Sequence, residues 1–207
     1  MTQTLLKDIA TIISGHPFRS KIQAQAGGNT RVIQMKDLLH QGTTPQPQGI
    51  DWGQVVSTTV SNIKPDRHVL PGDILFVARG NRNSATLVHR LPEHVPANAS
   101  LLCSPHFFMI RLKVNSGIDP AFLAWYLNQQ PAQQFFERHA QGTNIQSVSR
   151  EVLQSVVIPR LPATTQAQII QRTQQLYQHQ QLLMQLIHND QQMMDGMAQA
   201  LIARERG

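Results

Sequence analysis

The segment Thr164-Thr165-Gln166-Ala167-Gln168-Ile169-Ile170-Gln171-Arg172-Thr173-Gln174-Gln175-Leu176-Tyr177 opens a run that reaches Ala203 with no proline and a single glycine, Gly196. At 1.5 Å per residue its roughly 40 residues predict one helix of about 60 Å. Apolar side chains recur at Ile169, Leu176, Leu183, Ile187, Met194, Met197 and Leu201, which fall on two positions of a heptad. Thr173, Gln180 and Asp190 interrupt the same two positions, and Ile170, Tyr177 and Met184 form a second stripe beside them. Two arrangements satisfy such a face: a second helix laid along it, or a fold-back onto the chain's own domain. The length favours a second helix, because a globular part of about 160 residues cannot cover so long a rod. Polar residues in a helical seam lower its stability but fix register and orientation.

Upstream, the pattern changes to short strands separated by turns. Ile74-Leu75-Phe76-Val77-Ala78 is a continuous apolar run of strand length, announced by the turn Pro71-Gly72-Asp73. Arg31–Met35, Val55–Val60, Ala85–Val88, Phe107–Leu112 and Val156–Pro159 are further extended candidates, with a helical turn expected at Lys36–Leu39. Residues 41–49 carry Gly42, Pro45, Pro47 and Gly49 and read as a loop. Asp119-Pro120 is a helix start, with aspartate as cap and proline in the first turn. Pro131 is expected to break or restart that helix, with Gly142 available to end it. The expected fold is thus an α/β (α+β) globular domain over residues 1–162, followed by one long helix over 163–207.

Charge follows the same division. Through Pro162 there are 15 Lys and Arg against 9 Asp and Glu, while from Ala163 onward there are 3 against 3. The formal excess of +6 therefore lies in the globular part. A basic surface favours a polyanion, nucleic acid first, although solubility alone also accounts for it. Cys103 is the only cysteine, which precludes an intrachain disulfide or a cysteine-built zinc site and fits a reducing cytoplasm. The start of the chain lacks the basic-then-apolar pattern of a signal peptide, and no apolar run approaches the ~20 residues that cross a bilayer.

No catalytic set emerges. The nine histidines are scattered and none has the spacing of a helical zinc motif, so no metal is expected. Asp66 and Asp73 are not followed by the acidic-x-lysine pair of a metal-dependent nuclease. No phosphate loop ending in Lys-Ser/Thr is present, nor an aromatic-Pro-Pro-aromatic methyltransferase signature. Arg79-Gly80-Asn81-Arg82-Asn83 is the most suggestive cluster, because Arg pairs with guanine and Asn with adenine in the major groove. Taken alone, it reads more simply as a solvated hairpin loop. Thr143, Asn144 and Gln146 offer uncharged hydrogen-bonding groups beside Gly142, for DNA or for a simple cap and turn. Lys64, Arg67 and His68 could meet phosphates, and Arg19 and Lys21 are weaker candidates for the same role.

Taken in order, these segments resemble the specificity subunit of type I restriction-modification enzymes. The resemblance rests on Gly15-His16-Pro17-Phe18, Val32-Ile33-Gln34-Met35-Lys36-Asp37-Leu38, and Leu70-Pro71-Gly72-Asp73-Ile74-Leu75-Phe76 with Arg79-Gly80. It continues through Phe107-Phe108-Met109-Ile110-Arg111, Tyr126-Leu127, Gly142–Gln146 and Ile158–Pro162, and passes into the helix by Gln166 and Ile169. This chain departs from the family in having Thr165-Gln166 where Glu-Gln is frequent, and in having one domain and one helix instead of two of each. The resemblance implies a non-catalytic, DNA-reading subunit of a phage-defence system. Its partners would be double-stranded DNA, a methyltransferase subunit carrying S-adenosylmethionine and, in the full system, a translocating nuclease. A half-length chain would then form a homodimer through Ile169, Leu176, Leu183, Ile187, Met194, Met197 and Leu201. The rivals are a stand-alone DNA-binding regulator that dimerises by its helix, a docking protein that binds no DNA, and a free-standing nuclease.

Overall fold

The structure is a computed structural model that describes residues 2–18, 20–39, 49–80, 82–89, 91, 99–142 and 146–205. In chain order the elements are β1 (Gln3–Leu5), α1 (Leu6–Ile9), β2 (Ala10–Ser14), β3 (Thr30–Ile33), β4 (Leu38–Leu39), β5 (Gly49–Ile50), β6 (Val56–Thr58), β7 (Ile74–Val77), β8 (Arg79–Gly80), β9 (Ala85–Leu87), β10 (Ser100–Cys103), β11 (Phe107–Leu112), α2 (Pro120–Leu127), α3 (Gln130–His139), β12 (Gln146–Ser147), α4 (Arg150–Gln154), β13 (Val157–Pro159) and α5 (Ala163–Glu205).

An antiparallel sheet in the order β2-β11-β7-β9 forms the centre. All four residues of β7 are buried because this strand is covered on both sides. Ile74 and Phe76 point into a core shared with α2, α3 and α4, whereas Leu75 and Val77 point into a second core lined by β3 and β10. The alternation of a strand thus serves two cores at once, which is why the sequence reads as an unbroken apolar run. On the second side lies the small sheet β10-β3-β6, in which β10 and β3 run parallel. The mainly antiparallel pairing makes the α/β (α+β) domain expected from sequence an α+β one.

The turn before β7 is a clasp. Asp73, whose side chain is 3% exposed, accepts two hydrogen bonds from the Arg111 guanidinium, at 2.8 and 2.7 Å, and one from the Leu70 amide at 2.7 Å. Arg111 also donates to the His68 carbonyl at 2.8 Å. Gly15 makes a second tight junction. A Cβ there would sit 2.0 Å from the Ser104 carbonyl oxygen, so only glycine lets the two chain segments approach this closely.

Several boundaries differ from the sequence expectation, for local reasons. The strand expected to reach Met35 stops at Ile33, because Gln34 and Asp37 cap a 3-10 turn over Met35–Asp37, and Leu38–Leu39 is a strand instead of part of that turn. The extended segment expected over Val55–Val60 is limited to Val56–Thr58, where it pairs with β3. Asp119 caps α2 as expected, accepting from the Ala121 and Phe122 amides, and Pro131 sits in the first turn of α3. β1 closes the domain by pairing with β13, bringing the start of the chain beside the segment that leads into α5.

The long helix is anchored by one side chain. Gln166 is buried; its amide group donates to the Gly117 and Leu161 carbonyls at 2.9 Å each and accepts from the Asp119 amide at 2.8 Å. Ile169 and Ile170 then pack partly against the domain core. With 43 residues α5 is about 65 Å long. Among the described residues, no helix is long and apolar enough to cross a membrane.

Candidate nucleic-acid interface

The central sheet ends in a rim where β2 stops at Ser14, β7 stops at Val77 and β11 starts at Phe107, and register places these strand ends side by side. Loops from distant parts of the sequence therefore meet there. The Ser104 amide donates to the Ile33 carbonyl, the Ala78 amide to the His106 carbonyl, and the Val148 amide to the Ala78 carbonyl. The Gly15-His16-Pro17-Phe18 loop joins them through the Gly15 amide on the Phe107 carbonyl and the His16 amide on the Cys103 carbonyl.

Arg79–Gly80 and Gln146–Ser147, from two clusters separate in the sequence, are joined at this rim. β8 and β12 form an antiparallel ribbon in which Arg79 faces Ser147 and Gly80 faces Gln146, and Ser147 also bridges to Gln141. Arg79 is exposed, and so is Arg82 just beyond the ribbon. Gly80 is buried inward; a Cβ on it would come within 3.0 Å of the Met35 side chain. A two-stranded ribbon fits the width of a DNA major groove, and arginine is the side chain best suited to guanine there.

Other candidates have different positions. Asn83 is 3% exposed; its side-chain amide donates to the Val77 carbonyl at 2.8 Å, and its own carbonyl accepts from Gln133 at 2.7 Å. It is therefore a brace inside the fold, and the base-reading role expected of it is withdrawn, since a buried and committed amide cannot reach a base edge. Arg67 is partly buried and donates to the Gly15 carbonyl at 3.1 Å, and His68 contacts the Ser100 hydroxyl at 2.9 Å. Lys21 and Lys64 are exposed. Arg19, Asn81, Thr143 and Asn144 lie outside the described residues.

Sequence reasoning missed Arg150, which is exposed at the start of α4 and donates to the Ser14 hydroxyl at 2.8 Å. It also missed Lys36 and His106, both exposed at the same rim. No local pattern marks any of the three. By contrast, Lys113 lies at the other end of the sheet and is tied to the Lys7 and Asp8 carbonyls. Burial pushes the Cys103 thiol up to about 12, which leaves it unreactive at neutral pH. The His16 imidazole is held below its ordinary range, first by burial and then by the nearby Arg67 charge, so it adds no cation to the rim near pH 7.

The helix has two faces. Gln166, Ile169, Ile170, Thr173 and Tyr177 turn toward the domain and are buried or half-buried. This changes the reading of Ile169, which is spent partly on its own core. Leu176, Leu183, Ile187, Met194, Met197 and Leu201 remain exposed, and Leu182, Leu186 and Met193 extend the apolar surface to one side.

No protein-family model and no curated protein matches the sequence. Solved structures do match. The S subunit of a Type-I restriction-modification system from M. genitalium is 14% identical with a TM-score of 0.51, over 83% of this chain and 37% of that one. The HsdS subunit from Thermoanaerobacter tengcongensis is 18% identical with a TM-score of 0.56, over 88% of this chain and 38% of that one. The fold is that of the type I S subunits. A chain from a structure describing complex assembly and conformational transition of the type I R-M system agrees, at 17% identity, a TM-score of 0.54, and 88% and 39% coverage. The chain spans less than two fifths of the length of each of these S-subunit-like structures.

Proposed function

We propose that this chain is the DNA-reading subunit of a type I-like restriction-modification system, with residues 1–162 as target recognition domain and 163–207 as dimerisation and spacer helix. The observation that carries the reading is the β8–β12 ribbon, which brings Arg79 and the segment at Gln146 to one rim on an S-subunit fold. Arg79 and Arg82 read base edges from the major groove, and Lys21, Lys36 and Lys64 hold the domain on the phosphates. Asn81, Thr143, Asn144 and Gln146 are further candidates for base contacts, and Arg19 for a phosphate contact. Arg67 and Gly80 shape the rim, and His68 is a further candidate for phosphate contact.

The chain acts by recognition and performs no catalysis itself. Two copies pair through the exposed helix seam and present two reading heads to a split, palindromic site, because protein symmetry is mirrored in the DNA. Pairing through the heptad positions leaves Leu182, Leu186 and Met193 uncovered, and this ridge is the docking surface for a methyltransferase subunit. That partner supplies S-adenosylmethionine and takes the target adenine out of the stack. A translocating nuclease completes the system where one is present.

The test is selection of sites from a random duplex library by the chain in complex with a type I methyltransferase subunit. The expected outcome is a bipartite palindromic consensus. Arg79→Ala is expected to cost roughly tenfold to hundredfold in affinity for the selected site and to relax one base position in each half, as loss of a bidentate arginine does. Enrichment of no sequence would sink the reading in favour of a docking protein that binds no DNA.

A further inference from the structure

Arg150 has no role in the reading so far, yet its placement is unusual among the basic residues. It follows the ribbon directly: Ser147 pairs with Arg79, Val148 donates to the Ala78 carbonyl, and Ser149 caps α4 by accepting from the Val152 amide at 3.2 Å. The chain path therefore brings Arg150 out beside Arg79. Its guanidinium then reaches across 136 residues of sequence to the Ser14 hydroxyl, at the end of β2. A guanidinium has five N–H donors in a planar fork, and one bond to a hydroxyl leaves most of them free. No salt bridge to a carboxylate takes them up among the described residues. The neighbouring Glu151 carboxylate is held below its usual range by its own backbone amide, then by the Ser149 hydroxyl and the Arg150 charge, without a direct ion pair to Arg150. Three other cations of the domain are committed elsewhere: Arg111 to Asp73, Lys113 to the Lys7 and Asp8 carbonyls, and Arg138 to the Gln134 carbonyl.

We infer that Arg150 is a phosphate anchor of the DNA interface and that Ser14 is its positioning residue, fixing the guanidinium at the foot of the β8–β12 ribbon. Ser14 accepts from one edge of the fork, and the remaining N–H groups donate to a phosphate oxygen of the strand that flanks the groove the ribbon enters. An anchor at the foot of the ribbon sets how deep and at what angle Arg79 enters, without reading sequence itself. This inference rests on the DNA-reading proposal.

The experiment measures binding of the full chain to a mixed-sequence duplex by fluorescence anisotropy, between about 50 and 200 mM salt. Each phosphate contact releases about one counterion, so Arg150→Gln is expected to lower the slope of log K against log salt by about 1. A loss of about tenfold at the low end would then shrink to about threefold at the high end. Arg150→Lys keeps the charge and should restore the slope. Ser14→Ala should keep the slope and weaken binding by about threefold, because the side chain must then be ordered on binding. Melting temperatures should move little for either change, Arg150 being exposed and Ser14 half-buried. An unchanged slope for Arg150→Gln overturns the inference while leaving DNA reading intact. So does an unchanged slope with a lowered melting temperature, which would make Arg150 a structural tie. Wild-type protein that shows no salt-dependent binding, alone or in complex with a methyltransferase subunit, would overturn the DNA reading, and the anchor with it.

Discussion

Arg111→Met is expected to destabilise the domain by about 3 kcal/mol. The Asp73 side chain is almost fully enclosed, and Arg111 supplies two of the three hydrogen bonds it accepts. Removing the cation leaves a buried carboxylate with the Leu70 amide as its remaining partner, and an uncompensated buried charge is among the costliest single changes a core can suffer. The partial exposure of Arg111, 29% for its side chain, keeps the expected cost at the lower end of the range for buried pairs. The clasp also holds the His68 carbonyl, so the segment from Pro65 to Asp73 should loosen with it. The double change Arg111→Met with Asp73→Asn should recover a good part of the loss, because the second substitution removes the stranded charge. Urea unfolding of the wild type and the two variants decides this: an Arg111→Met variant that loses less than about 1 kcal/mol would show that the clasp does not hold the turn.

This clasp shows both what could be read from sequence and what could not. Pro71-Gly72-Asp73 is legible as a turn from its residue types, and the run after it as a buried strand from its length and apolar character. That Asp73 should meet Arg111, 38 residues later, is a fact of register between β7 and β11 and leaves no local trace. The same limit explains β1 and β10. Gln3–Leu5 is too short to show a period, and its partner β13 lies more than 150 residues away. The helices were the most readable parts, because Asp119-Pro120 and the heptad after Pro162 are signals carried by neighbours in sequence.

The candidate site divides in the same way. Arg79 and Arg82 stood out by side-chain type and are exposed at the rim. Asn83 stood out for the same reason and is a buried brace, since an asparagine that satisfies backbone groups cannot be told by type from one that reads adenine. Arg150 did not stand out because what gives it a place is Ser14, and only the fold brings the two together. Ile169 continued the heptad correctly, yet the anchoring of the helix through Gln166 turns that first seam position toward the domain.

Leu183→Glu with Ile187→Glu is expected to convert a dimer of about 46 kDa, twice the 23.2 kDa of one chain, into monomers, as read by light scattering coupled to size exclusion. Both side chains are 58% exposed in the single chain, so the fold itself should melt as before. Four apolar side chains per dimer would be lost from the seam, each contributing about 1.5–3 kcal/mol on burial, and the introduced carboxylates would repel one another. The seam also argues for one orientation. Parallel, in-register helices would stack Asp190 on Asp190 in the middle of the interface, a like-charge contact in a partly desolvated place. Antiparallel helices can instead set Leu176 against Leu201 of the second copy, Leu183 against Met194, and Asp190 against Ile187, so that the carboxylates are separated and the apolar layers stay matched. The two readings part on a cysteine test. With Leu176→Cys and Leu201→Cys in one chain, antiparallel pairing brings unlike positions together, so the double variant cross-links while neither single variant does. Cross-linking by Leu176→Cys alone would establish the parallel arrangement and put both reading heads at the same end. A wild-type chain that is monomeric would remove the homodimer altogether and leave the apolar seam to a different half-subunit.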